Sequence, residues 1–220
     1  MNTEMFSPIA SEREIERVSA YRLLAWGLMY PTAERVAKLN HWQESLQKVL
    51  TPLSLQARPI VTALSLLPKS EPDCLALLQE EYERLFIDDV PELLAPPYAS
   101  AYSLSGEIIR YPARSVLEAY RQAELAFYSD SFELPDHLSV QLEFMYYLSN
   151  EMLTARYLNR LERAAMFHEF QRQFLQDHLL YWVPTWCHNV SKGDRLGYYT
   201  ALAQLINDWL NNEAYELGLR

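Results

Sequence analysis

Glycine is scarce in this sequence, with five residues in 220. None of the five forms GxxxxGK[ST], GxGxxG or GxSxG, so the sequence predicts neither the phosphate-binding loops nor the nucleophile elbow built on those patterns. Half of the residues are hydrophobic, which is enough apolar material for a substantial core. Scarce glycine combined with much Leu, Ala, Glu and Gln favours helices over sheets.

Cysteines and long apolar runs are also lacking. Cys74 and Cys187 are the only cysteines and share no metal-binding spacing, so we expect two buried free thiols in a reducing cytosol. No run of about 18 apolar residues occurs, which predicts that no segment spans a membrane. The first 17 residues carry no basic segment followed by an apolar one, so no secretory signal is predicted.

Positive charge is in the minority, since 19 Lys and Arg stand against 29 Asp and Glu and the formal net charge is −10. Non-specific nucleic-acid binding needs concentrated basic residues and is therefore disfavoured. An acidic surface suits a basic partner, although net acidity can also serve solubility alone.

Metal-binding patterns are incomplete. His168-Glu169 resembles the start of HExxH, but Arg172 occupies the final position. A di-iron bundle needs two Glu-x-x-His pairs on facing helices, and the sequence offers none. No metal and no other cofactor is therefore predicted.

Hydrophobic spacing predicts an all-α fold, a single bundle of about eight to ten helices. Ser11-x-x-Glu14 predicts a capping box at the first helix, and Pro31 ends that helix. The further predicted helices cover 33–50, 53–67, 70–86, 113–129, a segment from Pro135 onward, 154–182 and a segment after Asp194.

The stretch from Glu80 to Tyr102 contains the end of a predicted helix and the start of a long loop that separates the two predicted halves of the chain. Tyr82, Leu85 and Phe86 share one helical face, and prolines 91, 96 and 97 prevent that helix from continuing. The loop that follows reaches about residue 112. It is longer and more apolar than an ordinary connector, so it is either functional or a strap packed on the core. The predicted organisation is an N-terminal half (1–87), a hinge loop (88–112) and a C-terminal half (113–220).

Asp136-His137 is the strongest polar candidate, and two interpretations stand. Asp136 can cap a helix while His137 packs in its first turn. Alternatively, Asp136 offers a carboxylate to a guanidinium beside an apolar groove, with Glu143 seven residues later near the same helical face. An enzyme that uses Asp136 and His137 as an acid–base pair is the alternative from another class of protein.

Four motifs together resemble the TorD/DmsD/NarJ family of molybdoenzyme-specific chaperones. They are Tyr82-x-x-Leu85-Phe86, Pro97-Tyr98-Ala99-Ser100-x-Tyr102, PDHLSVQLEFM from Pro135 and FLQDHLLYWVP from Phe174 to Pro184. Each is weak alone, but their order and separation are specific, and they cover roughly residues 80 to 185.

The resemblance implies a cytoplasmic chaperone rather than an enzyme. Its partner would be the catalytic subunit of a molybdenum-cofactor oxidoreductase, bound through its twin-arginine leader, its apo form or both. Binding would assist cofactor insertion and delay export until maturation is complete. A client without a leader, as in the nitrate-reductase branch of the family, is the further alternative, and the identity of the client stays open.

The resemblance also implies a peptide-binding site. The helix end with Tyr82, Leu85 and Phe86 would line a groove while also belonging to the core. Asp136 and His137 would belong to the signal-peptide region. The loop residues of the site are Pro97, Tyr98 and Ser100, which would form a hinge that borders it.

The downstream tryptophans receive a structural interpretation. Trp182, Pro184 and Trp186 match the helix-ending motif of the family, and we expect the two indole rings to anchor the core. The hinge also implies an assembly state, because exchange of identical halves is a low-cost route to dimers. We therefore predict a monomer with a minor dimer that exchanges halves.

Overall fold

The computed structural model describes residues 10–88, 93–102, 111–126 and 134–220. Ten α-helices lie in these ranges, and the predicted all-α class is confirmed. Their bounds are α1 Glu12–Leu28, α2 Ala33–Ala37, α3 Leu39–Leu50, α4 Arg58–Leu66, α5 Glu71–Phe86, α6 Tyr111–Gln122, α7 Leu138–Tyr157, α8 Leu161–Phe174, α9 Val183–Gly193 and α10 Tyr198–Glu216. A 3-10 helix covers Ala99–Tyr102, and a π-helix covers Leu175–Leu179.

The first helix starts as its sequence predicts. The Glu14 main-chain N–H donates to Ser11 Oγ at 3.3 Å, and the Ser11 N–H donates to the Glu14 carboxylate at 2.8 Å. Both halves of the capping box are therefore present. The same Glu14 carboxylate accepts a hydrogen bond from Arg156 of α7, so the cap also ties α1 to the centre of the bundle.

Three predicted helix boundaries are wrong, each for a local reason. The predicted helix 33–50 is two helices that break at Lys38, whose ψ is 0°. The predicted helix 53–67 starts only at Arg58, because Pro59 fits the first turn of a helix better than its interior. The predicted helix 154–182 is divided among α7, α8 and the π-helix. Asn159 separates α7 from α8 with a φ of 56°, a left-handed conformation that a helix cannot continue through.

Two other predictions need smaller corrections. The predicted helix 113–129 begins at Tyr111 and ends at Gln122, with Glu124 in a left-handed conformation. Residues 127–129 of that prediction lie outside the described residues. Pro184 stands in the first turn of α9 rather than at the end of a helix.

The core joins the two predicted halves of the chain. Helix α1 packs along α7, α7 packs along α8, and α10 contacts α1, α4 and α9. Arg17 of α1 donates two hydrogen bonds, at 2.7 and 2.9 Å, to the fully buried carboxylate of Glu213 on α10. Tyr21 donates a third to the same carboxylate at 2.9 Å. The two predicted halves of the chain therefore share one hydrophobic core.

Large aromatic side chains fill the centre. Trp182, Trp186 and Trp209 are fully buried, which confirms the structural role predicted for Trp182 and Trp186. No helix within the described ranges combines the length and apolarity needed to cross a membrane.

Candidate peptide-binding site

The described part of the long loop, residues 93–102, is a strap held against the bundle. The Ala95 N–H donates to the Leu85 carbonyl at 2.9 Å, at the end of α5. The Trp186 indole N–H donates to the Ala95 carbonyl at 3.2 Å. Further along, Tyr102 stacks on Trp182 with ring centroids 5.3 Å apart. The strap interpretation of this loop therefore holds for these residues.

The strap also pairs with the start of α7. The Leu138 N–H donates to the Pro97 carbonyl at 2.8 Å, and the Ala99 N–H donates to the Asp136 carbonyl at 3.1 Å. These bonds form an isolated antiparallel bridge between Tyr98 and His137. The two rings meet edge to face with centroids 4.9 Å apart. A three-residue stretch, 95–97, thus links the end of α5 to the start of α7.

Asp136 lies at the centre of this junction and is fully buried. Its Oδ2 accepts a hydrogen bond from the Ser100 N–H at 2.9 Å. Its main-chain carbonyl also accepts from the Gln141 amide at 2.8 Å. Its Oδ1 is buried and has no hydrogen-bond partner among the described residues. Chemically, the group is a carboxylate with one oxygen fixed and the other able to accept a donor such as a guanidinium N–H.

The predicted capping role of Asp136 is wrong, because the N-cap of α7 is His137. The His137 Nδ1 accepts from the Ser139 N–H at 3.1 Å and lies 2.7 Å from Ser139 Oγ. Burial lowers the pKa of His137 to about 3, so its ring is neutral at physiological pH. A neutral, fully buried imidazole that caps a helix is poorly suited to acid–base catalysis.

Glu143 lies within α7, whereas Asp136 precedes the N-cap of that helix, so the two residues do not share a regular helical spacing. The negative charges of both residues act on the Tyr120 hydroxyl. Glu143 is exposed, and its charge interacts with Arg35 and Arg22. Partial loss of hydration raises the pKa of Glu143, and those two arginines oppose the rise. Its predicted contact with a peptide arginine stays a prediction.

The C-terminal end of α5 belongs to the hydrophobic core. Tyr82, Leu85 and Phe86 are at most 3% exposed, which confirms the core part of their predicted role. The Phe86 ring packs edge to face on Tyr199 of α10, with centroids 5.2 Å apart, and stacks on Trp186 of α9 at 6.3 Å. All three side chains are buried in the described structure, so they line no open groove in this conformation.

Two residues near Asp136 carry no signal in the sequence. Tyr120 of α6 donates its hydroxyl to the Pro135 carbonyl at 2.8 Å and so fixes the turn before Asp136. Tyr181, which is 48% exposed, lies close enough for the Asp136 charge to act on it. Burial raises the pKa of Tyr181 and the negative charge of Asp136 adds to the rise. Both contacts join residues far apart in the chain, so spacing could not reveal them.

Metal ligands are not grouped in the part of the chain that the structure describes, where no cluster of three or more His, Cys, Asp or Glu side chains could hold an ion. Cys74 and Cys187 are free thiols, as predicted. Cys74 is buried, but Cys187 is only partly buried, so the predicted burial is wrong for Cys187.

The fold matches that of a solved structure. A solved structure from Archaeoglobus fulgidus, assigned to redox enzyme maturation, superposes with a TM-score of 0.57 over 96% of this chain and 99% of that one. The two sequences are 20% identical, so this likeness speaks for the fold alone.

Sequence comparison identifies the family. The profile described as "Nitrate reductase delta subunit" matches residues 40–188, and the chain belongs to that family. Chaperone protein TorD of Vibrio cholerae serotype O1 is 27% identical over 163 residues, which cover 74% of this chain and 72% of the relative. The perchlorate reductase assembly chaperone protein of Dechloromonas aromatica is 24% identical over 94% of this chain and 92% of its own.

These relatives confirm the predicted family and the predicted class, a chaperone rather than an enzyme. The acid–base alternative for Asp136 and His137 is therefore not retained. The family supports a maturation role for this chain, and the relatives' names point to reductases as the proteins that such chaperones serve.

Proposed function

We propose that this chain is a cytoplasmic chaperone for the catalytic subunit of a molybdenum-cofactor oxidoreductase. It binds the twin-arginine leader of that subunit, its apo form or both. Binding assists cofactor insertion and delays export until the subunit is mature. The observation that carries the leader proposal is the buried Asp136 carboxylate, whose Oδ1 has no hydrogen-bond partner among the described residues.

A leader fits this site in two ways. A guanidinium donates charge-assisted hydrogen bonds to a carboxylate and would satisfy the Oδ1 acceptor of Asp136. The apolar part of a leader needs a partly hydrophobic surface, and the half-exposed Tyr181 and Leu134, which is 59% exposed, flank the strap junction. The net charge of −10 favours approach of a basic segment.

Binding requires the junction to open, because Asp136 and His137 are at most 1% exposed. The strap is the segment suited to move. Three hydrogen bonds attach it to the start of α7, through Pro97, Ala99 and Ser100. Displacing it would expose Asp136 together with the Phe86 and Leu85 side chains beneath, so the predicted groove is a state that the leader selects.

The test is a double-mutant cycle measured by calorimetric titration. Asp136→Asn keeps the shape of the side chain and an acceptor for the Ser100 N–H, but it removes the charge. We expect it to weaken binding of the client's leader by about 1–3 kcal/mol. A leader in which both arginines are glutamine should lose a similar amount, and combining the two changes should cost little more than either alone. Asp73→Asn, at an exposed position of α5, is the matched control.

The outcomes separate the possibilities. Full additivity of the two losses would show that Asp136 does not meet an arginine. If the Asp136→Asn variant binds the leader with wild-type affinity, the only role of Asp136 is to hold the strap in place.

A second candidate is an assembly factor for a cytosolic reductase subunit that has no leader, as the resemblance to the nitrate-reductase branch of the family implies. It gains if wild-type protein binds the apo catalytic subunit but shows no affinity for any leader.

A further inference from the structure

The junction between the strap and α7 contains a second buried acceptor besides Asp136. Gln141, in the first turn of α7, is fully buried. Its Nε2 donates to the Asp136 main-chain carbonyl at 2.8 Å, and this bond fixes which end of the amide carries the oxygen. The Gln141 Oε1 is shielded from solvent and has no hydrogen-bond partner among the described residues. Two acceptors of one junction, Asp136 Oδ1 and Gln141 Oε1, are therefore unsatisfied in the described structure.

Both side chains are held in fixed orientations. The Asp136 carboxylate is held through its other oxygen, which accepts the Ser100 N–H at 2.9 Å. The Gln141 amide is held through its nitrogen, and the Gln141 main-chain N–H donates to the His137 carbonyl at 3.0 Å in the helix. Rotating either side chain toward another donor would break a hydrogen bond that the structure already has. A ligand therefore meets two preorganised acceptors.

The strap lies against this pair of acceptors. The Asp136 carbonyl accepts from the Gln141 amide and also from the Ala99 N–H of the strap at 3.1 Å, so both donors meet at one oxygen. The bonds that position the start of α7 do not involve the strap. They are the Gln141 bond to Asp136 and the Tyr120 bond to the Pro135 carbonyl at 2.8 Å. Opening of the strap therefore uncovers both acceptors while the main chain that carries them stays in place.

The two acceptors together favour one kind of cation. A guanidinium is planar and carries five N–H donors in a fixed fork, so it can donate to acceptors on two different residues at once. An ammonium group is a compact and more strongly hydrated charge, which loses more hydration when it enters a buried site. A carboxylate attracts either cation, whereas the neutral Gln141 Oε1 adds a hydrogen bond without adding charge. The pair therefore distinguishes arginine from lysine by geometry.

We propose that Gln141 is a specificity-determining residue that selects arginine over lysine in the leader. One arginine of the leader donates to Asp136 Oδ1 and to Gln141 Oε1 together. Because a single guanidinium satisfies both acceptors, only one of the two leader arginines is recognised in this way. This inference rests on the proposed function, since it requires a leader at the strap junction. It adds a binding residue to that site and names the feature that the site recognises, the guanidinium fork and not positive charge alone.

The first test uses wild-type protein, so it does not depend on the folding of a variant. The probes are the twin-arginine leader of the molybdoenzyme catalytic subunit whose gene neighbours that of this chain, and the same peptide with lysine at the first, the second or both arginines. Lysine keeps the charge but lacks the planar fork of donors. In calorimetric titration, lysine at one position should weaken binding about tenfold, as loss of a hydrogen bond to a buried acceptor implies. Lysine at the other position should change affinity by less than about twofold.

The second test asks whether Gln141 is the source of that preference. Gln141→Met keeps the length of the side chain but removes its acceptor. We expect it to weaken binding of the arginine leader about tenfold and to leave binding of the lysine leader nearly unchanged, so that the preference disappears. Gln141→Leu makes the same change with another apolar shape, so the result does not depend on the folding of one variant.

Gln171→Met is the matched control. Gln171 is 1% exposed on α8, and its Oε1 accepts from the Ser149 hydroxyl at 3.0 Å. This substitution also removes the hydrogen bonds of a buried amide, so the melting temperature should fall. The preference for arginine should stay at the wild-type value, because Gln171 lies outside the junction.

Three results would overturn the inference. If wild-type protein binds the arginine and lysine leaders equally, the site recognises charge alone, and leader binding itself stands. If the Gln141 variants weaken binding of both leaders by the same factor, Gln141 only supports the start of α7. If wild-type protein binds none of the leaders, the proposed leader binding fails together with this inference.

Discussion

Asp136 and His137 are neighbours in sequence, but their side chains have different roles. His137 caps α7, while Asp136 accepts the Ser100 N–H and fastens the strap. A carboxylate at this position leaves one oxygen buried without a hydrogen-bond partner in the described structure, which costs free energy. Such a cost at the strap junction is consistent with a site that completes its hydrogen bonds only when a partner binds.

The pH dependence of stability should reveal the buried state of His137. The unfolded histidine protonates near pH 6.5, but burial lowers the folded pKa to about 3. Between these values the unfolded chain binds the extra proton, so the free energy of unfolding falls as the pH drops. From pH 7 to pH 5 this contribution amounts to about 2 kcal/mol.

His137→Asn should remove this contribution, since asparagine caps helices well and does not titrate. Urea unfolding of wild type and variant at pH 5, 6 and 7 measures the difference in slope. Parallel pH profiles for the two proteins would contradict a neutral, buried His137.

At the scale of elements, the end of α5 is the support on which the strap rests. Leu85 is fully buried, and its carbonyl accepts the first hydrogen bond of the strap. Its side chain also packs closely on Gly193 of α9, where an added Cβ would lie 2.9 Å from the Leu85 Cδ2. The strap, α5 and α9 therefore form one packed unit around this leucine.

Truncating Leu85 should affect both folding and binding. We expect Leu85→Ala to lower the free energy of unfolding by about 2–5 kcal/mol, because it leaves a cavity in a packed core. Leader affinity should also fall, since the strap loses its support. Leu66→Ala, at an exposed site on α4, should change stability by less than about 0.5 kcal/mol.

Urea unfolding and leader titration of both variants provide the check. Wild-type stability of the Leu85→Ala variant would show that this helix end can repack. Normal stability with impaired binding would instead place Leu85 on the binding surface alone.

At the scale of the whole molecule, the core shared by the two halves opposes their exchange through the hinge. Helix α1 packs on α7, and Arg17 reaches Glu213 across 196 positions of the chain. In a dimer that exchanges halves at residues 88–112, the same contacts would form between two chains. The strap bonds at Leu85 and Leu138 would have to break and reform during such an exchange.

We therefore expect a predominant monomer with a minor dimer that interconverts slowly, because exchange must first undo this shared core. Size-exclusion chromatography, repeated on each isolated fraction after incubation, measures both species and their interconversion. Exchange through the hinge would be contradicted if the protein elutes entirely as a tetramer, or if its dimer dissociates during the run.

The sequence by itself determined the helical class, the capping box at Ser11 and the core role of the aromatic residues, because periodicity and caps are local properties of a helix. It also carried the four motifs that reveal the family. It could not place Asp136 correctly, because aspartate is a strongly preferred N-cap residue, whereas the N-cap that α7 uses, His137, is not of a preferred type.

Only the tertiary structure decided which groups meet. The bonds from Ser100 to Asp136 and from Tyr120 to Pro135 join segments separated by a loop, and no spacing rule reaches across one. Such contacts depend on how the helices pack against one another in three dimensions. A sequence pattern indicates only which residues favour burial.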